Sequence, residues 1–370
     1  MDNKGAKDRY EVFTLFQKVL AFLHLGAALA FGILVAVKGD WTVPVVLNFN
    51  SWRKLADDDG EGCGANSPCF VVPYKTTLPG ELSLGVASCL TSVISGLHHL
   101  YAALYQETYK KMIKQSIIAP RWIDYGLSSP LMFLVVSVLW SAPPDLRDIV
   151  FGFGLQFLVI LGGYGSEVAN AFKRKFDRWF LFAGAGLAYL ATWVYLFVVF
   201  GHAEASAGDP VCGGTNATSL YAESDQDTPS FVYAILFSIF IVFSCFAFVH
   251  WAKLWKGDPD DFNSNLYYEM WYSVLSFTSK IVLLGLLTSG VIGRSDGSVQ
   301  LDDSQRDVTV DDGEDDDDEF DWDVYGTLIG TIVFSGVLGA YFFYRYKKAP
   351  KAAVKNKNAR GADMVAKLVF

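Results

Sequence analysis

Apolar runs long enough to cross a bilayer alternate with short polar segments along most of the chain. Eight stand out, at about 12–37, 82–105, 117–142, 149–166, 179–201, 229–252, 266–292 and 325–344. About 20 apolar residues span the hydrocarbon layer as one helix, so the pattern predicts an all-α membrane protein. The first run follows a charged leader, residues 1–11, without a small-residue cleavage site, and reads as a retained helix rather than a signal peptide. The segment 39–80 is long. Alternation from Trp41 to Phe49 and from Cys69 to Tyr74 predicts a short β-hairpin within it. The remaining parts are a polar loop at 293–324 and a tail at 345–370 after the eighth helix.

Lys and Arg positions orient this array. With the N-terminus in the cytoplasm, the inner segments carry Lys4, Lys7 and Arg9, then Lys110, Lys111, Lys114 and Arg121, then Lys173, Arg174, Lys175 and Arg178, and a tail beginning at Arg345. The outer segments hold fewer basic residues: Lys38, Arg53, Lys54, Lys75, Arg147, Arg294 and Arg306. The run from Asp311 to Asp323 is strongly acidic and reads as a solvated, disordered outer loop that accounts for much of the net charge of −9. Cys63 and Cys69 lie in the first outer loop, where an oxidising space permits a disulfide. Asn216 begins an outward-facing glycosylation sequon, Asn216-Ala-Thr218. No phosphate-binding glycine loop, nucleophile triad or metal-ligand spacing is found, so neither an enzyme, a metal site nor a nucleic-acid partner is expected.

The ionisable residues inside the runs carry the chemistry. Lys280 lies deep within the seventh run, where an ammonium costs roughly 3 kcal/mol on insertion scales. Three uses justify it: a buried carboxylate partner, an ion pathway, or covalent use of the amine. The third run reads Arg121-Trp-Ile-Asp124-Tyr-Gly-Leu-Ser128-Ser129, the first holds His24, and the second holds His98 and His99, of which one is expected to face the interior. Helical side chains tilt toward their own N-terminus, so Lys280 leans toward the half-membrane of Asp124 and His98. Ser276 is one turn from Lys280, and Ser128 and Ser129 are one turn from Asp124. Asp124 is the expected counter-charge. Glu269, Glu167 and Glu81 sit near run ends, where a solvated carboxylate is ordinary.

Lys280 with Ser276, together with the Arg121–Ser129 motif, resembles the microbial-type retinal proteins, and among them the heliorhodopsins, over about residues 10–292. The inside N-terminus, the long first outer loop and the His24 and His98 pair fit that family. The resemblance implies a seven-helix rhodopsin-like bundle at 12–292 with inverted topology. It further implies all-trans retinal joined to Lys280 as a protonated Schiff base, with Ser276 beside the linkage and Asp124 as counterion. His24 and His98 then form a proton network, and Tyr125, Ser128, Ser129 and Met132 line the chromophore. Two features depart from the family: Asp stands at 124 where Glu is usual, and the helix at 325–344 is extra. Its glycines 326, 330, 336 and 339 favour close packing on a partner, a homodimer contact or a signal output.

Three functions are open on this reading: a photoreceptor that moves a proton into the histidine network and signals by helix movement, a light-gated passive proton or cation channel, and a non-photoactive receptor or transporter with a plain Lys280–Asp124 ion pair. A pump is not expected. Val135 occupies the place, three turns beyond Asp124, where a relay carboxylate of a pump belongs. The expected partners are membrane lipid, a second copy and a cytoplasmic signalling protein, in a cell-surface, internal or viral membrane.

Overall fold

The computed structural model describes residues 8–38, 42–53, 70–139, 146–207, 230–288 and 322–349. The possible Cys63–Cys69 bridge, Cys212, Asn216 and the acidic run 311–323 lie outside the described residues, as does most of the tail. So does the Glu81 side chain.

Nine helices and two strands occur among the described residues: α1 (Arg9–Lys38), β1 (Thr42–Arg53), β2 (Phe70–Ser83), α2 (Leu84–Leu104), α3 (Gln106–Gln115), α4 (Ala119–Val138), α5 (Leu146–Ala171), α6 (Lys175–Ala207), α7 (Ser230–Lys256), α8 (Phe262–Leu287) and α9 (Trp322–Lys348). Each apolar run maps onto one long helix. Helix α3 is an addition, formed inside the basic segment that joins the second and third runs. The strands pair antiparallel from Thr42 opposite Ser83 to Arg53 opposite Phe70, with an irregularity between Pro44 and Val46. The pairing extends well beyond the stretches whose alternation predicts strands.

Local chemistry sets the helix ends. Ser83 caps α2 by accepting from the Val86 N–H at 2.8 Å, and Asp261 caps α8 by accepting from Asn263 and Ser264. Pro120 falls in the first turn of α4, where its missing N–H costs nothing. Ser116 (φ 56°) ends α3 and Lys173 (φ 58°) turns the chain between α5 and α6. Both adopt the left-handed conformation that stops a helix.

Five of these helices are long and apolar enough to cross a membrane by composition alone: α1, α5, α6, α7 and α8. Helices α2 and α4 fall outside that set because they carry the buried polar face, including Ser95, His98 and His99 on α2 and Arg121, Asp124 and Ser128 on α4. Two apolar clusters bracket this face. One gathers Met132, Val135, Trp193, Ile235 and Leu283 from α4, α6, α7 and α8. The other gathers Phe13, Phe16, Tyr109, Met270 and Phe342 from α1, α3, α8 and α9.

Helix α9 docks on the bundle. Phe342 lies 4.5 Å from Phe16, and Phe343 lies 4.5 Å from Trp271, measured between ring centroids. Of the glycines proposed for close packing, Gly339 makes its approach within the chain, since a Cβ there would stand 3.2 Å from Val274 Cγ1. Gly330 and Gly336 face open space. Arg9 Nε donates to the Ala349 carbonyl at 3.2 Å, and Tyr346 hydroxyl donates to the Asn263 carbonyl at 2.9 Å. The start of α1, the start of α8 and the end of α9 therefore meet at one end of the bundle.

Helices α5 and α6 approach each other closely. A Cβ on Gly162 would stand 2.9 Å from the Ala185 Cβ and 3.2 Å from the Leu181 carbonyl oxygen. Gly162→Val is expected to cost about 1–3 kcal/mol of stability, read as a lower thermal midpoint of the purified protein in detergent.

Candidate functional site

The site begins with the burial of charge. Among the described residues six charged side chains are buried: Arg121, Lys253 and Lys280 as cations, and Asp124, Glu167 and Glu269 as carboxylates. Three positive groups meet three negative ones. An ion removed from water costs several kcal/mol unless an opposite charge and hydrogen bonds replace its hydration, so this balance is what allows the polar face to exist.

Lys280 is 2% exposed. Its Nζ donates to Ser276 Oγ at 3.1 Å, one turn earlier on α8, and lies 5.5 Å from the centre of the Tyr125 ring. Asp124 is the charged group that acts on it electrostatically, although no ion pair within 4.0 Å joins the two. Asp124 is held by its own set of donors. Ser95 Oγ donates to Oδ1 at 2.7 Å, and Ser128 Oγ donates to the same oxygen at 3.1 Å. His98 Nδ1 stands 3.3 Å from Oδ2, an ion-pair distance at an angle that falls short of a hydrogen bond.

The histidines form a cluster of three. His98 and His99 are both buried, where one was expected to face inward. The helix explains the difference: α2 packs against α1 on one flank and against α4 and α8 on the other, so neighbouring positions are both covered. His24 stacks on His99 with ring centroids 5.2 Å apart, and its edge meets Phe277 at 5.4 Å. Neither ring nitrogen of His24 has a hydrogen-bond partner among the described residues. His99 Nδ1 is 2.5 Å from Gln17 Oε1, and Gln17 Nε2 donates to Ser273 at 2.8 Å.

A second polar cluster lies one to two turns nearer the α1 start. Arg121 forms close ion pairs with Glu167 and with Glu269. Trp122 Nε1 donates to Glu167 at 2.6 Å, Lys253 Nζ donates to Glu167 at 3.1 Å, and the Tyr109 hydroxyl donates to Glu269 at 2.6 Å. Glu167 and Glu269, expected as solvated carboxylates, are therefore sealed. Being near a run end does not expose them, because α3 and the α7 end close over that part of the bundle. Arg121 pairs with these two and not with Asp124, although it lies one turn from Asp124 on α4.

Beside Lys280 opens an apolar cavity with about 840 Å³ of atom-free space, its open side included. Tyr125, Ser128, Ser129 and Met132 line it, as does Lys280 itself. Aromatic walls come from Trp122, Phe182, Phe246 and Tyr272. Gln156 donates to Ser129, fixing one polar edge.

With this geometry the heliorhodopsin family profile matches residues 13–292. The chain belongs to the heliorhodopsin family. As a heliorhodopsin it is a retinal-type, light-sensing integral membrane protein. No curated protein matches it. Among solved structures it is similar to the light-driven proton pump rhodopsin of Coccomyxa subellipsoidea, at 14% identity and a TM-score of 0.48, covering 76% of this chain and 97% of that one. The residues present fit a retinal group: a buried primary amine with a single hydrogen-bond partner borders a cavity of mostly apolar and aromatic wall.

Of the site residues taken from sequence, Lys280, Asp124, Ser276, Tyr125, Ser128, Ser129, Met132, His24 and His98 all come together here. Ser95, Gln17, Tyr109, Gln156 and Lys253 were missed, and His99 joins the cluster together with His98 rather than in its place. Ser95 is one turn before His98 and His99, and Gln17 is two turns before His24, so helical spacing could have found both. Tyr109 and Lys253 lie in segments that read as surface.

Removing Arg121 leaves two buried carboxylates against one buried lysine. Arg121→Met is expected to lower stability by about 3–5 kcal/mol. Asp260→Asn, which breaks only the Lys173–Asp260 pair (65% and 66% exposed), is expected to leave stability nearly unchanged. Thermal denaturation of both variants in the same detergent checks the contrast.

Proposed function

We propose that this heliorhodopsin is a photoreceptor whose Lys280 amine carries all-trans retinal, and that light moves the proton held at Lys280 Nζ into the histidine cluster. The observation that carries the proposal is the buried Lys280 amine beside an aromatic-walled cavity, with a carboxylate and three histidines on one side. Bound through that amine, retinal supplies light absorption and a change of shape on isomerisation.

The chain's own residues do the rest. Ser276 Oγ accepts from Nζ and fixes its direction. The Tyr125 ring faces the cation at 5.5 Å and adds attraction without a competing charge. Asp124 supplies the counter-charge, and the hydroxyls of Ser95 and Ser128 hold it in place. Met132 and the aromatic walls exclude water, while Ser128 and Ser129 form the polar edge. His24, whose nitrogens have no hydrogen-bond partner among the described residues, is the acceptor for the proton, and His98, nearest to Asp124, joins the network by passing on a proton of its own. Helix shifts then pass to the end of the bundle where α1, α3, α8 and α9 meet. The basic residues gathered at that end support its placement in the cytoplasm. A cytoplasmic protein, membrane lipid and a second copy of the chain are the partners this reading calls for.

Transport is not favoured. Val135 is fully buried in an apolar cluster beyond Asp124, and Glu167 and Glu269, which a conducting path would use, are tied to Arg121. Under illumination, voltage-clamped cells expressing the chain are expected to show no sustained current. A current that follows the pH gradient would instead establish the passive channel.

The cofactor has a direct test. Membranes expressing the chain with added all-trans retinal are expected to become coloured, and Lys280→Ala is expected to abolish the colour. A colourless wild type overturns the proposal and leaves Lys280 and Asp124 as structural charges.

A further inference from the structure

We infer that Tyr109 is a proton relay joining His98 to Glu269, so that the histidine cluster and the Arg121 ion cage form one switchable chain. The inference deepens the photoreceptor reading and rests on it for the light-driven step. The juxtaposition is Asp124, His98, Tyr109 and Glu269 in sequence, with gaps of 3.3, 3.1 and 2.6 Å. All four are buried, Tyr109 completely.

Hydrogen-bond arithmetic fixes the resting arrangement. A tyrosine hydroxyl has one proton, and Tyr109 gives it to Glu269 Oε1. The contact of Tyr109 with His98 must then be a donation from His98 Nε2. On the far side of the ring, His98 Nδ1 faces Asp124 Oδ2, and neither atom has another partner among the described residues. Two lone pairs facing each other in a buried site repel, so Nδ1 also carries a proton. Three gaps need three protons, one more than a neutral histidine and a tyrosine bring to two ionised carboxylates. The chain stores that extra proton, and in the resting state His98 holds it.

Transfer is a two-bond shift. The His98 Nε2–H bond breaks as an O–H bond forms on Tyr109, and the original Tyr109 O–H bond breaks as one forms on Glu269 Oε1. His98 ends neutral, keeping Nδ1–H toward Asp124 and accepting at Nε2 from Tyr109. Atoms and charge balance without another reactant. Two consequences follow. Asp124 keeps its hydrogen-bond donors but loses the cation beside it, which leaves its charge to Lys280. Glu269 becomes neutral, so the Arg121–Glu269 tie between α4 and α8 weakens. Because Tyr109 belongs to α3, a short basic helix at the end of the bundle, the same shift reaches a segment within reach of a soluble partner.

The resting state is read without chromophore. Solid-state NMR of the full chain in lipid, with nitrogen-labelled histidine and no retinal, resolves the protonation of five histidines. One doubly protonated ring is expected. It should vanish in His98→Gln and become singly protonated in Glu269→Gln, where the amide lets Tyr109 donate to His98. A wild type with only singly protonated rings overturns the inference whether or not the protein binds retinal. The transfer is read by light-minus-dark infrared spectroscopy of the retinal-loaded protein. A new carboxylic C=O absorption is expected, absent in Glu269→Gln and at least ~tenfold smaller per bleached chromophore in Tyr109→Phe. That variant keeps the ring packing against Phe13 at 6.0 Å. The absorption at full strength in Tyr109→Phe would sink the relay.

Discussion

The guanidinium of Arg121 sits where water cannot reach it, and it does not give up its proton. Its two carboxylates, Glu167 from α5 and Glu269 from α8, must stay beside it, and Lys253 from α7, paired with Glu167, balances the remaining negative charge. Four helices are thereby joined at one point by interactions too costly to separate. The retinal-site geometry hangs from that point. Asp124 is three residues along α4 from Arg121, and Lys280 is three turns along α8 from Glu269, so their relative depth follows from the cage.

The two polar clusters differ in how fully their atoms are satisfied. Around Arg121 nearly every donor and acceptor has a partner, and such a network is rigid. Around Lys280 and the histidines, partners are sparse: the His24 nitrogens have none among the described residues, and the His98–Asp124 contact is bent away from hydrogen-bond geometry. Protons move where bonds are unfinished. A stiff scaffold beside an under-bonded pocket is the arrangement a light-responsive group needs, because strain created in the pocket cannot dissipate into the frame.

Much of this was legible in the chain. Eight apolar runs located the long helices within a few residues, and Lys280, Asp124 and their serine neighbours followed from helical spacing and from the cost of charge in hydrocarbon. What escaped was long-range. Arg121, Glu167, Lys253 and Glu269 each lie near the end of a run, and position alone cannot tell a wet carboxylate from one sealed by another helix. Tyr109 was hidden because its basic segment reads as a surface loop, and only the tertiary fold turns that one ring inward. The inward turn of both His98 and His99 likewise depends on how many neighbours α2 has, a property of the assembled bundle.

The docking of α9 brings two positions far apart in the chain together. Arg9, one residue into the described chain, bonds the Ala349 carbonyl, and its guanidinium lies 5.0 Å from the Tyr346 ring. A stretch of more than three hundred residues thus closes into a loop whose two ends touch. Labels placed beside Arg9 and Ala349 begin from neighbouring points on the same face, and a change in how α9 seats on α1 would register between them as a change in separation.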